Sequence, residues 1–152
     1  MGADLTYVCL GGNQYTFRLS FYRDCAGITP LSSQTINASS VSCGQNISIT
    51  LNQLAGYPLE VSPLCAAQLP NSTCSGGTLP GVQEYAYEGT FTLPSACTDW
   101  VFSYSECCRN ASITTMSSPG LENLYVEATL DNVTAPCNSS PSFTSLPVPY
   151  VC

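Results

Sequence analysis

The chain has 152 residues, ten of them cysteine, and sets three arginines against ten acids, with no lysine and no histidine, for a net charge of −7. So little positive charge cannot neutralise phosphates, which excludes nucleic acid and anionic membrane surfaces as partners. The missing His and Lys exclude Ser–His–Asp and Cys–His nucleophiles, Schiff-base chemistry and His-ligated metals.

Period-two alternation runs through most of the chain and points to strands. Residues 5–10 and 15–22 flank Gly11-Gly12-Asn13, a strong hairpin signal. In the second arm Tyr15, Phe17, Leu19 and Phe21 share one face, and Thr16, Arg18, Ser20 and Tyr22 share the other. A weaker strand is expected over 33–41. Ile47, Ile49 and Leu51 then alternate with polar neighbours. A short helical turn is expected within 57–68, where Pro58 and Pro63 argue against a long one. Tyr85, Tyr87, Phe91 and Leu93 mark the next strand; Trp100, Phe102 and Tyr104 another; Leu124, Val126, Ala128 and Leu130 the last clear one. Turn clusters such as Pro70-Asn71-Ser72, Ser75-Gly76-Gly77 and Ser118-Pro119-Gly120 separate them.

Strands with one apolar face need a second sheet to cover it, so the expected fold is all-β: an antiparallel, disulfide-rich, Ig-like β-sandwich over residues 1–134, with a closed barrel as the alternative. Residues 135–152 differ. Pro136, Pro141, Pro147 and Pro149 make this a Pro-rich extended C-terminal segment, since proline cannot donate to a central ladder. Its Phe143, Leu146, Val148, Tyr150 and Val151 suggest an edge or donor strand that packs on its own domain or on the next subunit. No run approaches the ~18 apolar residues of a spanning helix, so no membrane insertion is expected. The opening Met1-Gly2-Ala3-Asp4 has neither a basic nor an apolar leader region, so the chain reads as a mature or excised segment of a longer product.

The cysteines are Cys9, Cys25, Cys43, Cys65, Cys74, Cys97, Cys107, Cys108, Cys137 and Cys152. Their number is even, no C-x-x-C occurs and no His is present, so zinc and thioredoxin-type patterns are absent. Thiols at this density belong to an oxidising, extracellular setting, where each bridge adds about 2–4 kcal/mol by constraining the unfolded chain. Spacing leaves the connectivity open. Two local pairings are expected, Cys65 with Cys74 and Cys137 with Cys152. The stretch "SYSECCRN" raises a sharper question, because adjacent strand residues point to opposite faces. Alternation puts Cys108 inward with Trp100, Phe102 and Tyr104, and Cys107 outward. Two separate bridges are therefore expected, a bond between the neighbours being strained in a strand.

Candidate chemistry is sparse, and no catalytic, cofactor or metal residues are assigned. Glu84, Glu88, Asp99, Glu106, Glu122, Glu127 and Asp131 could supply a glycosidase pair only if two of them faced each other at about 5–9.5 Å, and they read instead as a solvated acidic surface. Calcium between loops through Asp99 or Asp131 has no D-x-D-x-D-G motif behind it. Arg18 lies on a strand, and Arg23 and Arg109, each beside a cysteine and an acid, are expected in structural pairs with carboxylates. Sequons at Asn37, Asn46, Asn71, Asn110, Asn132 and Asn138 are possible glycosylation sites. Tyr22 and Tyr125 lie on the faces opposite their core and could stack on sugars or anchor a partner.

Taken together, "MGADLTYVCLGGNQYTFRLSFYRDCAGI", "YEGTFTLPSACTDWVFSYSECCRNASI", "NLYVEATLDN" and "PCNSSPSFTSLPVPYVC" resemble the N-terminal domain of very large secreted Bacteroidota surface proteins. Such proteins typically end in a gliding-motility-associated, type IX secretion sorting domain. The resemblance implies an extracellular or cell-surface protein with structural, adhesive or fibre-forming work, and it brings no catalytic residues. The resulting expectation is a non-enzymatic building block of a cell-surface fibre or surface layer, associating with itself or with neighbouring domains by strand addition. The alternative is an adhesive or carbohydrate-binding module with glycans as partners.

Overall fold

A computed structural model describes residues 2–109 and 113–142; the expectations for Asn110, Cys152 and the segment 143–152 fall outside these. The fold is all-β, and the described residues form eight strands: β1 (Gly2–Gly11), β2 (Gln14–Asp24), β3 (Ser33–Ser40), β4 (Gln45–Gln53), β5 (Leu59–Glu60), β6 (Val82–Thr92), β7 (Trp100–Glu106) and β8 (Leu124–Leu130). They form one antiparallel sheet in the order β1-β2-β6-β4-β3-β7-β8, with β5 attached to β6. The sheet curls until β1 and β8 approach each other, and is nearly closed.

The hairpin forms where the glycines allow it. Gly12 and Asn13 both have positive φ, as a two-residue turn between twisted strands requires, and Gly11 pairs with Gln14. The weaker strand expected over 33–41 is β3. Residues 57–68 contain β5 as well as the expected short turn, where the Gln68 and Leu69 N–H groups donate to the Cys65 carbonyl (2.8 and 3.2 Å), and 3-10 turns follow at Leu69–Asn71 and Thr73–Ser75. A two-residue strand offers no periodicity to read. Leu59 and Glu60 are both exposed and are ordered by pairing with Glu84 and Gln83 of β6.

Alternation places the core where the sequence suggests. Tyr15, Phe17, Leu19 and Phe21 of β2, Ile49 and Leu51 of β4, Tyr85 and Tyr87 of β6, and Trp100, Phe102 and Tyr104 of β7 are all buried. Aromatic rings carry the contact between opposite walls. Phe17 meets Phe102 at 4.6 Å between centroids and Phe21 meets Tyr104 at 6.2 Å, while along β7 itself Trp100 stacks on Phe102 at 6.1 Å. Tilted and edge-on rings of this kind add about 0.5–1.5 kcal/mol per pair beyond their buried area.

The walls join tightly at one corner. β4 and β6 share only the pairs Asn52–Glu88 and Gln53–Tyr87 before the strands diverge. Just beyond, at Gly89, a Cβ would stand 2.7 Å from the Thr50 carbonyl oxygen and 3.0 Å from Leu51. Backbone approaches backbone there, and only glycine fits. Gly89→Ala should therefore lower stability by about 1–3 kcal/mol, the usual range for overpacking. Gly120→Ala, where a Cβ meets nothing within 4 Å, should change it little. Urea unfolding of the two variants checks this.

Candidate functional site

Two places break the regularity of the sheet. The first is the seam where it closes. Each neighbour in the path is antiparallel, so β1 and β8, at the two ends of a seven-strand path, run parallel. No ladder joins them among the described residues; instead the Tyr7 hydroxyl donates to the Thr129 carbonyl at 2.7 Å. The chain itself enters this seam. After β8 it turns back, Cys137 bridges to Cys9, the Cys9 N–H donates to Ser139 Oγ (3.0 Å), and the Tyr7 N–H donates to Ser140 Oγ (3.0 Å). The Ser140 N–H returns a bond to the Tyr7 carbonyl at 2.9 Å. Residues 137–140 thus run antiparallel to β1 along its open edge. Tyr7 fixes which backbone groups face outward; by alternation those of Ala3 and Leu5 also face the seam.

The second place is the mouth between the walls at the end bearing the long connections 25–32, 54–81 and 107–123. At the opposite end the walls are tied together around a smaller hollow of about 340 Å³ beside Tyr15, Asn132 and Cys137. There Cys43 bridges to Cys97, and the buried Asn132 accepts from the Cys97 N–H (2.8 Å) and donates to Asn13 (3.3 Å). Asp99 takes the Ser40 and Ser42 hydroxyls and the Ser42 N–H. At the loop end a cleft of about 590 Å³ stays open between β2, the 25–32 loop and the end of β7. Arg23 sits in its wall, 9% exposed. Its guanidinium donates to Thr29 Oγ1 and the Cys25 carbonyl, both at 2.9 Å, and lies 5.8 Å from the centre of the Tyr85 ring. Facing it, the Tyr104 hydroxyl donates to Glu106 (3.0 Å) and lies 3.2 Å from Gln34 Oε1. Burial first, then the Glu106 carboxylate, holds the Tyr104 hydroxyl protonated well above the usual tyrosine range.

The cysteines pair otherwise than expected. Cys74 bridges to Cys25 rather than Cys65, and Cys137 to Cys9 rather than Cys152; Cys65 is disulfide-bonded as well. Both local pairings fail because the fold brings connecting segments remote in sequence against strand ends: the 3-10 turn Thr73–Ser75 against the end of β2, and the segment after β8 against β1. Cys107 and Cys108 bond to each other. The expectation of two separate bridges assumed a continuing strand, but β7 ends at Glu106 and Cys108 has φ +80°. Alternation stops there, so Cys108 is not turned into the core, and both cysteines are exposed at the rim of the cleft.

Other candidates separate. Asn37, Asn46, Asn71 and Asn138 are exposed, whereas Asn132 is committed to the interior bonds above, which corrects its reading as a sugar acceptor. The expectation for Arg23 and Arg109 is revised too: Arg23 has the contacts given, and Arg109 donates to the Asn123 carbonyl (3.1 Å); Arg18 bonds the Tyr57 hydroxyl (2.8 Å). Among the described residues, hydroxyls, tyrosine rings and carbonyl oxygens are the groups these arginines meet. Asp131 accepts from Val133, Thr134 and the Thr134 hydroxyl within its own turn. Tyr22 is half-buried; Tyr125 is 55% exposed and donates to Glu127 (2.7 Å). Sequence reasoning missed Gln34, Ile28 and Leu31 as cleft residues, although two large apolar groups within the turn-like "CAGITPLS" were a signal.

No protein-family model, curated protein or solved structure matches the chain. What the chain shows directly is a disulfide-rich, nearly closed antiparallel sheet suited to an oxidising environment. Among the described residues, no helix is long and apolar enough to cross a membrane.

The Asp99 clamp gives a pH signature. Hydrogen bonds from Ser40 and Ser42 lower its pKa to about 2, below its unfolded value of 3.8. A carboxyl with a depressed folded pKa stabilises the native state above the unfolded value, and that contribution is lost as pH falls through the folded one. Asp99→Asn should therefore lower the melting temperature at pH 7, and the gap to the parent should close as pH falls from about 4 to about 2. Calorimetry across that range checks it.

Proposed function

We propose that this chain is a non-enzymatic structural module of an extracellular fibre or surface layer, built to accept an added strand. The observation that carries the reading is the seam: two parallel strands face each other, and an extended segment already enters between them. A strand inserted there would run antiparallel to both β1 and β8 and complete the ring. The donor is the Pro-rich end of a neighbouring copy, and a head-to-tail exchange that does not close on itself generates a filament. In this reading the sheet is an Ig-like sandwich, with β1-β2-β6 as one layer and β4-β3-β7-β8 as the other. Exposed Val8 (55%) and Leu10 (56%) on the seam strand supply apolar surface for the contact. Bridges at both ends of the sheet suit a part that must resist proteases and tension. A type IX-secreted surface protein of the Bacteroidota kind is the setting that the sequence resemblance suggests.

The loop-end cleft favours a second reading, an adhesive module that binds carbohydrate. Its mixed lining and open mouth support this better than the Tyr22 or Tyr125 faces do.

Ala3→Pro tests strand addition. It removes an N–H that faces the seam and leaves the β1–β2 ladder intact. Electron microscopy should show filaments for the parent and monodisperse particles for the variant, with unchanged circular dichroism. Monodisperse particles for both would refute assembly.

A further inference from the structure

We propose that the loop-end cleft is a binding site for a short neutral saccharide, seated on the Cys107–Cys108 disulfide and held by Glu106, Gln34 and Arg23. This rests on the carbohydrate-binding reading and gives it a site and a ligand class.

Size comes first. About 590 Å³ lies within the 300–1,000 Å³ range of pockets that enclose small organic ligands. Charge then narrows the choice. In a chain with three cations, one is buried in this wall, so a positively charged ligand would meet Arg23. Asp24 and Glu106 also line the cleft, so an anionic ligand would meet them. A neutral molecule with many hydroxyls is the occupant that neither sign opposes, because each hydroxyl can both donate and accept. Carboxylate, carboxamide and guanidinium converge here as acceptor, dual and donor groups.

The disulfide supplies the complement to those polar groups. A bond between adjacent cysteines closes a small ring through their shared peptide and presents a compact, polarizable surface with no strong donor. Both residues are exposed at the rim. The C–H face of a pyranose packs on such a surface as it does on an aromatic ring. Across the mouth, Ile28 and Leu31 are 94% and 75% exposed and furnish a second apolar wall. Arg23 is held rigidly by two hydrogen bonds and the Tyr85 ring, and Tyr104 fixes Glu106, so little side-chain entropy remains to be lost on binding.

The test is a heteronuclear NMR titration of the intact chain with cellobiose, maltose and chitobiose, beside digalacturonate and glucosamine as charged comparators. Saturable shifts with at least one neutral disaccharide, confined to residues 26–31 and 104–108, are expected. Glu106→Ala, at an exposed position, should weaken binding at least ~10-fold, about 1.4 kcal/mol. The double variant Cys107→Ser with Cys108→Ser should abolish it, and Tyr125→Ser should leave it unchanged. Unaltered Trp100 resonances in each variant report an intact fold. Saccharide shifts around Tyr125, or binding that survives both cleft variants, would overturn the site while leaving carbohydrate binding standing. Preference for digalacturonate or glucosamine would overturn the neutral ligand class. No shift with any sugar up to about 10 mM would overturn both the site and the carbohydrate-binding reading.

Discussion

A ring of seven strands, each antiparallel to the last, cannot close antiparallel. The two strands that meet at the end of the path, β1 and β8, must point the same way, and the hydrogen-bonding edges they present are left without the pairing used everywhere else in the sheet. Much of the molecule follows from this parity. The chain after β8 folds back and lends Ser139 and Ser140 to the open edge of β1, and Cys9–Cys137 pins that return. Unpaired edges invite partners, and natural sheets cover or exploit them. Here the covering is partial, and it runs in the direction that an incoming strand would take.

The two ends of the sheet have divided labour. At the hairpin end, short turns, the Cys43–Cys97 bridge, buried Asn132 and the Asp99 clamp tie the walls together and leave only a smaller hollow than at the loop end. At the other end, long connections cross over, and Cys25–Cys74 ties one of them to the end of β2. Loops held on a rigid frame are where recognition usually sits. The scarcity of charge makes the exceptions informative: Arg23 places a cation in the cleft wall, where its two terminal nitrogens bond a hydroxyl and a carbonyl and the guanidinium meets a tyrosine ring, while its Nε is left without a partner among the described residues.

Much of this framework was legible in the sequence because it depends on period two. The inward faces of β2, β7 and β8 follow from alternation alone, and Gly12-Asn13 marks the hairpin by the backbone conformation it permits. What could not be read depends on contacts remote in sequence or on where a period stops. Cys9 finds Cys137 across 128 positions because the ring closes there, and spacing carries no trace of that. Cys107 and Cys108 mislead for a local reason, since alternation was extended two residues past the end of β7. The cleft was illegible because it is assembled from β2, β3, β7 and a loop. Asn132 shows the limit of motifs: its sequon is intact, and the fold uses the amide for itself.

The account stands on the state of the seam, and amide hydrogen exchange reads that state residue by residue. In the isolated chain the Ala3 and Leu5 amides should exchange rapidly, while the Tyr7 and Cys9 amides, held by Ser140 and Ser139, exchange slowly. In the assembled form Ala3 and Leu5 should become as protected as residues inside the β1–β2 ladder. Slow exchange at Ala3 and Leu5 already in the monomer, or protection on assembly that bypasses them, would contradict an open, strand-accepting seam.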